Sequence, residues 1–440
     1  MPKEKVKGKA WIVSVSIGYE YQRIAHNLRH LSPNKQIINA DNYEGILEED
    51  KKIWENIRTF YKVISNFEKI PLIGNLSFEI FNQFQKIQNL YPKNQNVAPT
   101  FILKQIFNLI SKGWGKHFIE TLKNKNNEIP FVSTFFVPAF MAEYYHYPGK
   151  IACVICDADI SRSWVPIRPQ ESRIIYFAPT SLVVEKLIQY GVKKENIFLT
   201  GFPLPKENLG TYKNYKILKQ DIKIRILNLD PKKNYQKNYE NVIKKYLGKL
   251  PQKSNKPLTL MFSISGAGIQ KEIVVKFIKS LAYLLQNQSI HLILAGGDEN
   301  TKKYFLKKLL ALRLGLNIDK NIFIINHPNS KKYFELFNEA LRRTDILWTK
   351  PSELSFYAGL GIPIIIAPPL GFNEKINKNW LIKTGAGVVE QDPKFAHEWI
   401  FDLIRDGSLA KAAMQGFIEI KKEGVWEIER ILRYGALIKN

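Results

Sequence analysis

The stretch TDILWTKPSELSFYAGLGIPIIIAPPLGFNEKINKNW, residues 344–380, contains two apolar, strand-like runs separated by a polar turn and a helical segment. The first run ends at Thr349, a helix is predicted to begin near Ser352, and the second run covers residues 364–367. A strand, a crossover helix and a second strand form the unit from which parallel sheets are built. The stretch therefore predicts a parallel α/β fold.

The same alternation of apolar runs and amphipathic helices extends outward to both halves of the chain. In the first half, the predicted strands are residues 10–16, 130–133, 151–156, 174–177 and 197–199. In the second half, they are residues 258–264, 291–295, 322–325, 346–349 and 364–367. Two Rossmann-like, doubly wound domains are therefore expected, which suits a chain of 440 residues.

The predicted domain boundaries follow the composition. Residues 1–205 form the N-terminal domain, interrupted by an aromatic and basic helical insertion at 45–122. Residues 206–256 are rich in Lys, Asn and Tyr and are expected to be a basic connector. Residues 257–440 form the C-terminal domain with its terminal helices.

The chain is strongly basic, with 65 Lys and Arg against 40 Asp and Glu and a formal charge of +25. Such a charge attracts phosphate-rich partners, among them nucleic acid, anionic lipid and nucleotide sugars. A general bias toward Lys, Asn and Ile explains the charge equally well, and the composition leaves both explanations open. With 45% hydrophobic residues, the chain is not expected to be disordered.

The beginning of the chain is a short basic segment that leads directly into a strand-like run, without an apolar signal core. No window approaches the roughly 20 apolar residues that cross a bilayer. We therefore expect a cytoplasmic protein, with any contact to the inner face of the cell membrane being peripheral. The insertion contains an amphipathic, basic and aromatic stretch with Lys104, Lys112, Trp114, Lys116 and Phe118. This stretch is expected either to lie in the membrane interface or to pack against the core.

Two strand-to-helix turns carry glycines that could admit a phosphate group. In SVSIGYEYQR, residues 14–23, the turn contains Gly18 and the helix carries Arg23. In MFSISGAGIQKE, residues 261–272, it contains Ser265, Gly266 and Gly268. Glycines let the backbone approach a diphosphate, and serine hydroxyls can donate to its oxygens. The second turn is the better candidate, although a plain turn is the simpler alternative for the first.

Polar clusters follow the two strands of the opening stretch. Lys350, Ser352 and Glu353 lie where the first strand ends, which is where α/β sheets bind ligands. A helix cap would explain Ser352 alone. A second cluster one crossover later contains Asn373, Glu374 and Asn377.

The motifs GIPIII, NEKIN and TGAG in this region resemble the C-terminal half of the monogalactosyldiacylglycerol synthase and lipid II N-acetylglucosaminyltransferase group, glycosyltransferase family 28. The resemblance implies the GT-B architecture, in which two such domains face a cleft and the C-terminal helices cross back. It also implies that Asn373, Glu374 and Asn377 contact the donor sugar, that Ser265 to Gly268 contact its diphosphate, and that Glu353 binds ribose.

The first half resembles the same lipid galactosyltransferases. CDADISRSWV, residues 156–165, and the following TSLVVEKLIQYGVKKENIFLTGFPL match an Asp-bearing strand end, a Trp and a helix leading to a Thr-Gly-Xaa-Pro turn. On this resemblance, Gly18, Arg23, Arg162 and Trp164 are acceptor-side candidates. The two cysteines, Cys153 and Cys156, fall in the predicted strand and are expected to be buried rather than paired.

The resemblance implies an inverting transfer from a nucleotide sugar, with UDP as the expected nucleotide, to a lipid or membrane-associated acceptor. The general base would be a carboxylate, first Asp157 and then Asp159 or Glu20. No metal or other cofactor is expected, since helix N-termini and the Gly loop can offset the diphosphate charge. Relatives carry a Gly-rich loop ending in His, where this chain has Glu20 and Tyr21.

That departure leaves two alternatives to a transferase: a nucleotide-sugar epimerase of the same fold, or a catalytically altered nucleotide-sugar-binding protein. A nucleic-acid binder would explain the charge but neither Gly loop, so nucleic acid is not an expected partner.

Overall fold

The computed structural model describes residues 9–67, 88–93, 97–264, 268–296, 298–369 and 371–434. These residues fall into two compact units. The first unit draws on Met1–Leu204, Leu370–Ile376 and Lys421–Asn440, and the second on Pro205–Pro369 and Asn377–Ile420. The last described helix, Gly424–Tyr434, thus groups with the first unit, as expected for terminal helices that cross back.

The first unit contains a six-stranded sheet in which all neighbouring strands are parallel, in the order β2-β1-β3-β4-β5-β6. Its chain path reverses direction between β1 and β3, so a topological switch point lies there. The strands are β1 Trp11–Ser14, β2 Ile37–Asn39, β3 Phe131–Ser133, β4 Ile151–Val154, β5 Ile175–Ala178 and β6 Ile197–Leu199.

The second unit contains another parallel six-stranded sheet, in the order β12-β11-β10-β7-β8-β9. This is the strand order of the dinucleotide-binding Rossmann sheet, with its switch point between β7 and β10. The strands are β7 Thr259–Ile264, β8 His291–Gly296, β9 Ile322–Ile325, β10 Ile346–Thr349, β11 Ile364–Ile366 and β12 Gly387–Val389. The prediction of two doubly wound domains is confirmed.

Helices surround both sheets. In the first unit they are Tyr19–Leu28, Glu48–Phe67, Phe101–Ser111, Lys116–Lys125, Phe136–Tyr144, Ser181–Gln189 and Gly424–Tyr434, with 3₁₀ turns at Arg29–Leu31, Pro33–Lys35, Arg162–Trp164 and Lys194–Asn196. In the second unit they are Lys206–Leu209, Lys216–Leu229, Asn234–Asn238, Glu240–Leu247, Gly268–Ser280, Ala282–Gln286, Glu299–Ala311, Ser330–Arg343, Ala396–Arg405 and Ser408–Glu419, with 3₁₀ helices at Gly315–Asn317, Glu353–Leu360 and Pro393–Phe395. The helix Phe372–Lys383 is divided between the units.

The helix Ser330–Arg343 illustrates why these sequences form these elements. The Asn329 side chain accepts a hydrogen bond from the backbone N of Lys332 and so caps the first turn. Phe334, Phe337 and Leu341 recur at helical spacing and are buried against the sheet.

The predicted basic connector, residues 206–256, is instead an integral part of the second unit. Arg225 on the helix Lys216–Leu229 is buried and donates to the backbone O of Thr344 (2.9 Å), Leu360 (2.8 Å) and Gly361 (3.2 Å). The prediction was wrong because the abundant lysines of this segment lie on the solvent side and mask its buried apolar positions. These are Leu218, Ile222, Ile226 and Leu229.

Candidate functional site

The switch point of the second sheet brings two of the predicted motifs to one edge. β7 and β10 are direct neighbours, with Ser263 opposite Thr349, and Thr349 Oγ1 donates to the backbone O of Ser263 at 3.3 Å. β7 leads to the helix that begins at Gly268, and β10 leads to Lys350. The Gly loop and the first polar cluster, which are far apart in sequence, therefore follow adjacent strands. Ser265 and Gly266 themselves lie outside the described residues.

The polar cluster after β10 is organised by a 3₁₀ helix, Glu353–Leu360. Ser352 caps it by accepting from the backbone N of Leu354 at 3.4 Å, so the capping explanation of this serine applies. Glu353 is only 5% exposed, a buried carboxylate at the ligand-binding edge, while Lys350 is half-buried. Among the described residues, Ser355 Oγ is buried without a hydrogen-bond partner, which is the condition that a bound polar ligand relieves.

The second polar cluster lies on the helix Phe372–Lys383, which comes after β11. Asn373 and Asn377 are one helical turn apart, which places them on the same face. Asn377 is buried, while Asn373 and Glu374 are half-buried. Asn373 and Glu374 group with the first unit and Asn377 with the second.

In the first sheet, β1 leads through Gly18 into the helix Tyr19–Leu28. Gly18 has an ordinary extended backbone, and the position its Cβ would take is filled by the Glu20 carboxylate. Glu20 lies in the first turn of the helix, where a negative charge is stabilised by the helix dipole. The glycine therefore serves to admit Glu20 to this turn. Arg23, one turn further along, is buried.

A polar network missed from the sequence lies at the same end of β1. The fully buried Asp41 carboxylate accepts from the backbone N and Oγ of Ser16, at 2.9 and 2.5 Å, and pairs with Arg58 Nη2 at 3.0 Å. It joins the β1 turn to the helix Glu48–Phe67. Asp41 follows the edge strand β2, which is too short to be recognised, and that is why the network escaped prediction.

Asp157 and Asp159 follow β4. Asp157 is half-buried, whereas Asp159 is 8% exposed and accepts from the backbone N of Ile160 at 2.8 Å. Burial raises the pKa of Asp159 to about 6, although the Lys186 charge and the Ile160 hydrogen bond lower it and the Asp157 charge raises it further. Of the two carboxylates, Asp157 is the more accessible to an acceptor.

Arg162 and Trp164, expected on the acceptor side, lie in the core of the first unit. Arg162 is 2% exposed and donates to the backbone O of Val97 (3.1 Å), Val165 (2.5 Å) and Pro166 (3.1 Å), and burial lowers its pKa. The Trp164 ring packs on Phe136 with centroids 5.3 Å apart. Both side chains stabilise the loop after β4 and do not present a surface to an acceptor.

Some of the described residues of the insertion are buried in the core, and others are exposed on the surface. Trp114 and Phe118 are buried, with the Trp114 ring 4.8 Å from that of Trp54, so the core-packing alternative applies to them. Lys104, Lys112 and Lys116 are exposed. No helix within the described part of the chain is long and apolar enough to cross a membrane. Both cysteines are buried and form no disulfide with each other, as predicted.

A scan against known protein families gives no match. Among curated proteins, the chain is similar to the processive diacylglycerol beta-glucosyltransferase of Bacillus pumilus (strain SAFR-032), 22% identical over 440 residues, covering 93% of this chain and 98% of the relative. The protein of the same name from Bacillus subtilis (strain 168) is 23% identical over 408 residues, covering 86% and 88%. The predicted resemblance to lipid glycosyltransferases is confirmed by these relatives. Among solved structures, MurG of Acinetobacter baumannii is 10% identical, with a TM-score of 0.46, and the match covers 96% of this chain and 99% of that one.

Proposed function

We propose that this protein is a glycosyltransferase of the GT-B architecture that moves a sugar from a UDP-sugar to a lipid or membrane-associated acceptor, with inversion at the anomeric carbon. The observation that supports the proposal is that the two predicted donor motifs follow the neighbouring strands β7 and β10, at the switch point of the second sheet. Ligands of open α/β sheets bind at such points. The names of the curated relatives support both the enzyme class and the lipid acceptor.

On the donor side, the N-terminus of the helix Gly268–Ser280 suits the diphosphate, because the first backbone N–H groups of any helix have no partner within the helix and its dipole attracts negative charge. The buried Glu353 carboxylate suits the ribose hydroxyls as an acceptor of hydrogen bonds. Asn373, Glu374 and Asn377 are assigned to the sugar hydroxyls by family resemblance.

On the acceptor side, Asp157 takes the proton of the acceptor hydroxyl while the oxygen of that hydroxyl forms a bond to the anomeric carbon. The bond from that carbon to the diphosphate oxygen breaks at the same time, and the negative charge develops on the diphosphate. Fixed backbone dipoles at the donor loop can stabilise this charge without a metal. We therefore expect transfer to persist in the presence of a chelator.

The test is incubation with labelled UDP-sugars, UDP-glucose first, and vesicles containing diacylglycerol. A glycosyltransferase gives a labelled, vesicle-bound product, whereas an epimerase returns an isomerised nucleotide sugar and no labelled lipid. A protein that binds UDP in calorimetry but gives neither product would be the catalytically altered binder, and the proposal would be withdrawn.

The donor site is tested by Glu353→Gln, with the exposed Glu339→Gln on the helix Ser330–Arg343 as the matched control. Loss of the ribose hydrogen bonds should weaken UDP binding by about 1 to 3 kcal/mol. Equal UDP affinity in parent, variant and control would contradict the assignment of Glu353.

A further inference from the structure

The loop that follows β4, residues 156–166 and here called the β4 loop, is buried although it is not a strand and contains only a short 3₁₀ turn, Arg162–Trp164. Residues 151–166 are all described, and Asp157 is the only one of them that is not buried. A buried loop must find partners for its backbone groups within the protein, because water does not supply them.

Side-chain donors bind the backbone carbonyl groups of the β4 loop. The Thr180 hydroxyl donates to the backbone O of Ala158 at 2.9 Å. The Tyr190 hydroxyl donates to the backbone O of Ile160, also at 2.9 Å. Three further carbonyl groups are bound in the same way, that of Trp164 by the Tyr176 hydroxyl (3.0 Å) and those of Val165 and Pro166 by the Arg162 guanidinium (2.5 and 3.1 Å). Side chains, and not a regular helix or strand, therefore set the shape of this loop.

Asp157 lies between two attachments to β5 and the residues that follow it. Before Asp157, the backbone N of Ile155 donates to the backbone O of Phe177 in β5 at 3.1 Å. After Asp157, Ala158 is held by Thr180, the residue that caps the helix Ser181–Gln189. Tyr190, just beyond the other end of this helix, holds the loop further along. The backbone on both sides of Asp157 is thus fixed.

The position of a general base limits what it can do. The base must lie within hydrogen-bond reach of the proton it takes, and a displacement of about 1 Å can lower a rate by roughly 10²-fold. Side chains that fix such a group from behind, without touching the substrate, are therefore part of a working site. Thr180 and Tyr190 are 9% and 3% exposed, so water competes little for their hydrogen bonds.

We propose that Thr180 and Tyr190 are positioning residues for the transfer reaction. Their hydroxyl groups hold the β4 loop in the shape that presents Asp157, and no other side chain of the loop, to the acceptor. The role of Asp157 as the base rests on the proposed function, whereas the attachment of the loop exists in the protein without substrate. Both hydroxyl groups act through the loop backbone.

Five variants separate this role from a general loss of stability. Thr180→Val removes one hydroxyl and keeps the branched shape, while Thr180→Ser keeps the hydroxyl. Thr180 also accepts from the backbone N of Val183 as a helix cap, so Asn329→Ala, which removes the cap of the helix Ser330–Arg343, is the matched control. Tyr190→Phe removes the other hydroxyl, and the 73% exposed Tyr283→Phe is its control.

Hydrogen–deuterium exchange followed by mass spectrometry, without substrate, tests the attachment of the loop. In Thr180→Val and Tyr190→Phe, the amides of residues 156–166 should exchange faster by about five- to tenfold, the effect of losing one buried hydrogen bond. Thr180→Ser and both controls should exchange in this loop like the parent. Parental exchange in folded Thr180→Val and Tyr190→Phe would overturn the inference.

Transfer kinetics then test whether the position of the loop matters for the reaction. Thr180→Val and Tyr190→Phe should each lower kcat by about tenfold or more, because the base is no longer held in place. KM for the donor and the pH dependence of kcat should stay those of the parent, since neither the donor site nor a carboxylate is changed. Thr180→Ser should have the kcat of the parent, and so should Asn329→Ala, although it too lacks a helix cap.

A purely structural role of the two hydroxyl groups predicts a different result. Thr180→Val and Tyr190→Phe would then be less stable but would keep the kcat of the parent per folded molecule, and that outcome would overturn the inference. If the parent transfers no sugar, the proposed function fails, and with it the role of the loop in transfer. The exchange experiment still decides in that case whether Thr180 and Tyr190 hold the loop.

Discussion

The carboxyl edges of the two sheets differ in how their polar residues are used. At the edge of the second sheet, Glu353 and the Gly268 turn follow the adjacent strands β10 and β7. At the edge of the first sheet, the polar residues are divided. Asp157 remains half-exposed, whereas Arg162 is part of the core and donates hydrogen bonds to the backbone oxygens of Val97, Val165 and Pro166.

A sequence motif therefore predicts a functional site more reliably when the strand order also places its residues at one edge of a sheet. In a Rossmann sheet, the neighbours of the switch point are fixed by topology, so residues that follow β7 and β10 must share an edge. In the first unit, the acceptor-side candidates were chosen by residue type and family resemblance, which could not separate a structural side chain from a functional one.

The sharpest test of this contrast is Asp157→Asn. Loss of a general base typically lowers rate by roughly 10²- to 10⁴-fold, so kcat should fall by that factor while UDP affinity stays that of the parent. Transfer assays and calorimetry provide the two readouts, with the exposed Glu195→Gln as control. Normal kcat in Asp157→Asn would remove the only accessible predicted carboxylate of this loop and shift attention to Glu20.

Arg162→Met tests the structural half of the contrast. The substitution leaves the backbone oxygens of Val97, Val165 and Pro166 without their donor, and the free energy of unfolding should fall by about 1 to 3 kcal/mol. Denaturant unfolding measures it, with the exposed Arg168→Met as control. A variant as stable as its parent but unable to transfer sugar would mean that Arg162 belongs to the site after all.

The interior of each sheet could be predicted because its strands are apolar on both faces. The expected strand at residues 291–295 falls within His291–Gly296, and 346–349 matches Ile346–Thr349. The edge strands β2 and β12 were missed, because each has only three residues and includes Asn39 or Gly387, which leaves neither an apolar run nor a clear alternation. The equally short edge strand β6 was predicted because all three of its residues are apolar.

The candidate site was predictable where it depends on which turn follows which strand, and not where it depends on side-chain burial. The sequence does not decide whether Trp114 and Trp164 are exposed residues that contact a ligand or membrane, or residues of the core, because their burial depends on packing in the folded chain. The Asp41 network required three segments to meet, which no local pattern encodes.

Glu390 tests whether the edge of the second sheet also holds a structural carboxylate. It follows β12 and accepts from Trp348 Nε1 at 2.7 Å, and burial raises its pKa to about 7, although this hydrogen bond lowers it. The folded protein therefore binds a proton more tightly than the unfolded chain. The stabilisation is fully present below the ordinary pKa of a glutamate and is lost as pH rises through about 7.

Glu390→Gln keeps the acceptor for Trp348 and removes the titration. Relative to this variant, the parent should lose about 1 to 2 kcal/mol of unfolding free energy between pH 4.5 and 8, a value already reduced for the half-buried position. Denaturant unfolding across that range measures the difference, and the exposed Glu419→Gln should follow the parent. A constant difference between parent and Glu390→Gln would mean that this carboxylate does not titrate in the range.

The smallest expected effect concerns the surface of the insertion, where the contrast between buried and exposed residues is local. Trp114 and Phe118 are in the core, so any lipid contact here depends on exposed groups such as Lys104 and Lys112, with Phe101 59% exposed beside them in sequence. Each lysine near an anionic surface contributes about 1 kcal/mol, and salt screens the attraction. Lys104→Glu with Lys112→Glu should therefore weaken co-sedimentation with anionic vesicles at low salt.

Lys303→Glu with Lys307→Glu on the second unit changes the net charge equally and should leave binding to the vesicles unchanged. If both double variants weaken binding alike, the overall charge of the chain, and not the insertion, attracts the membrane. Equal binding of the parent to neutral and anionic vesicles would remove the electrostatic explanation altogether.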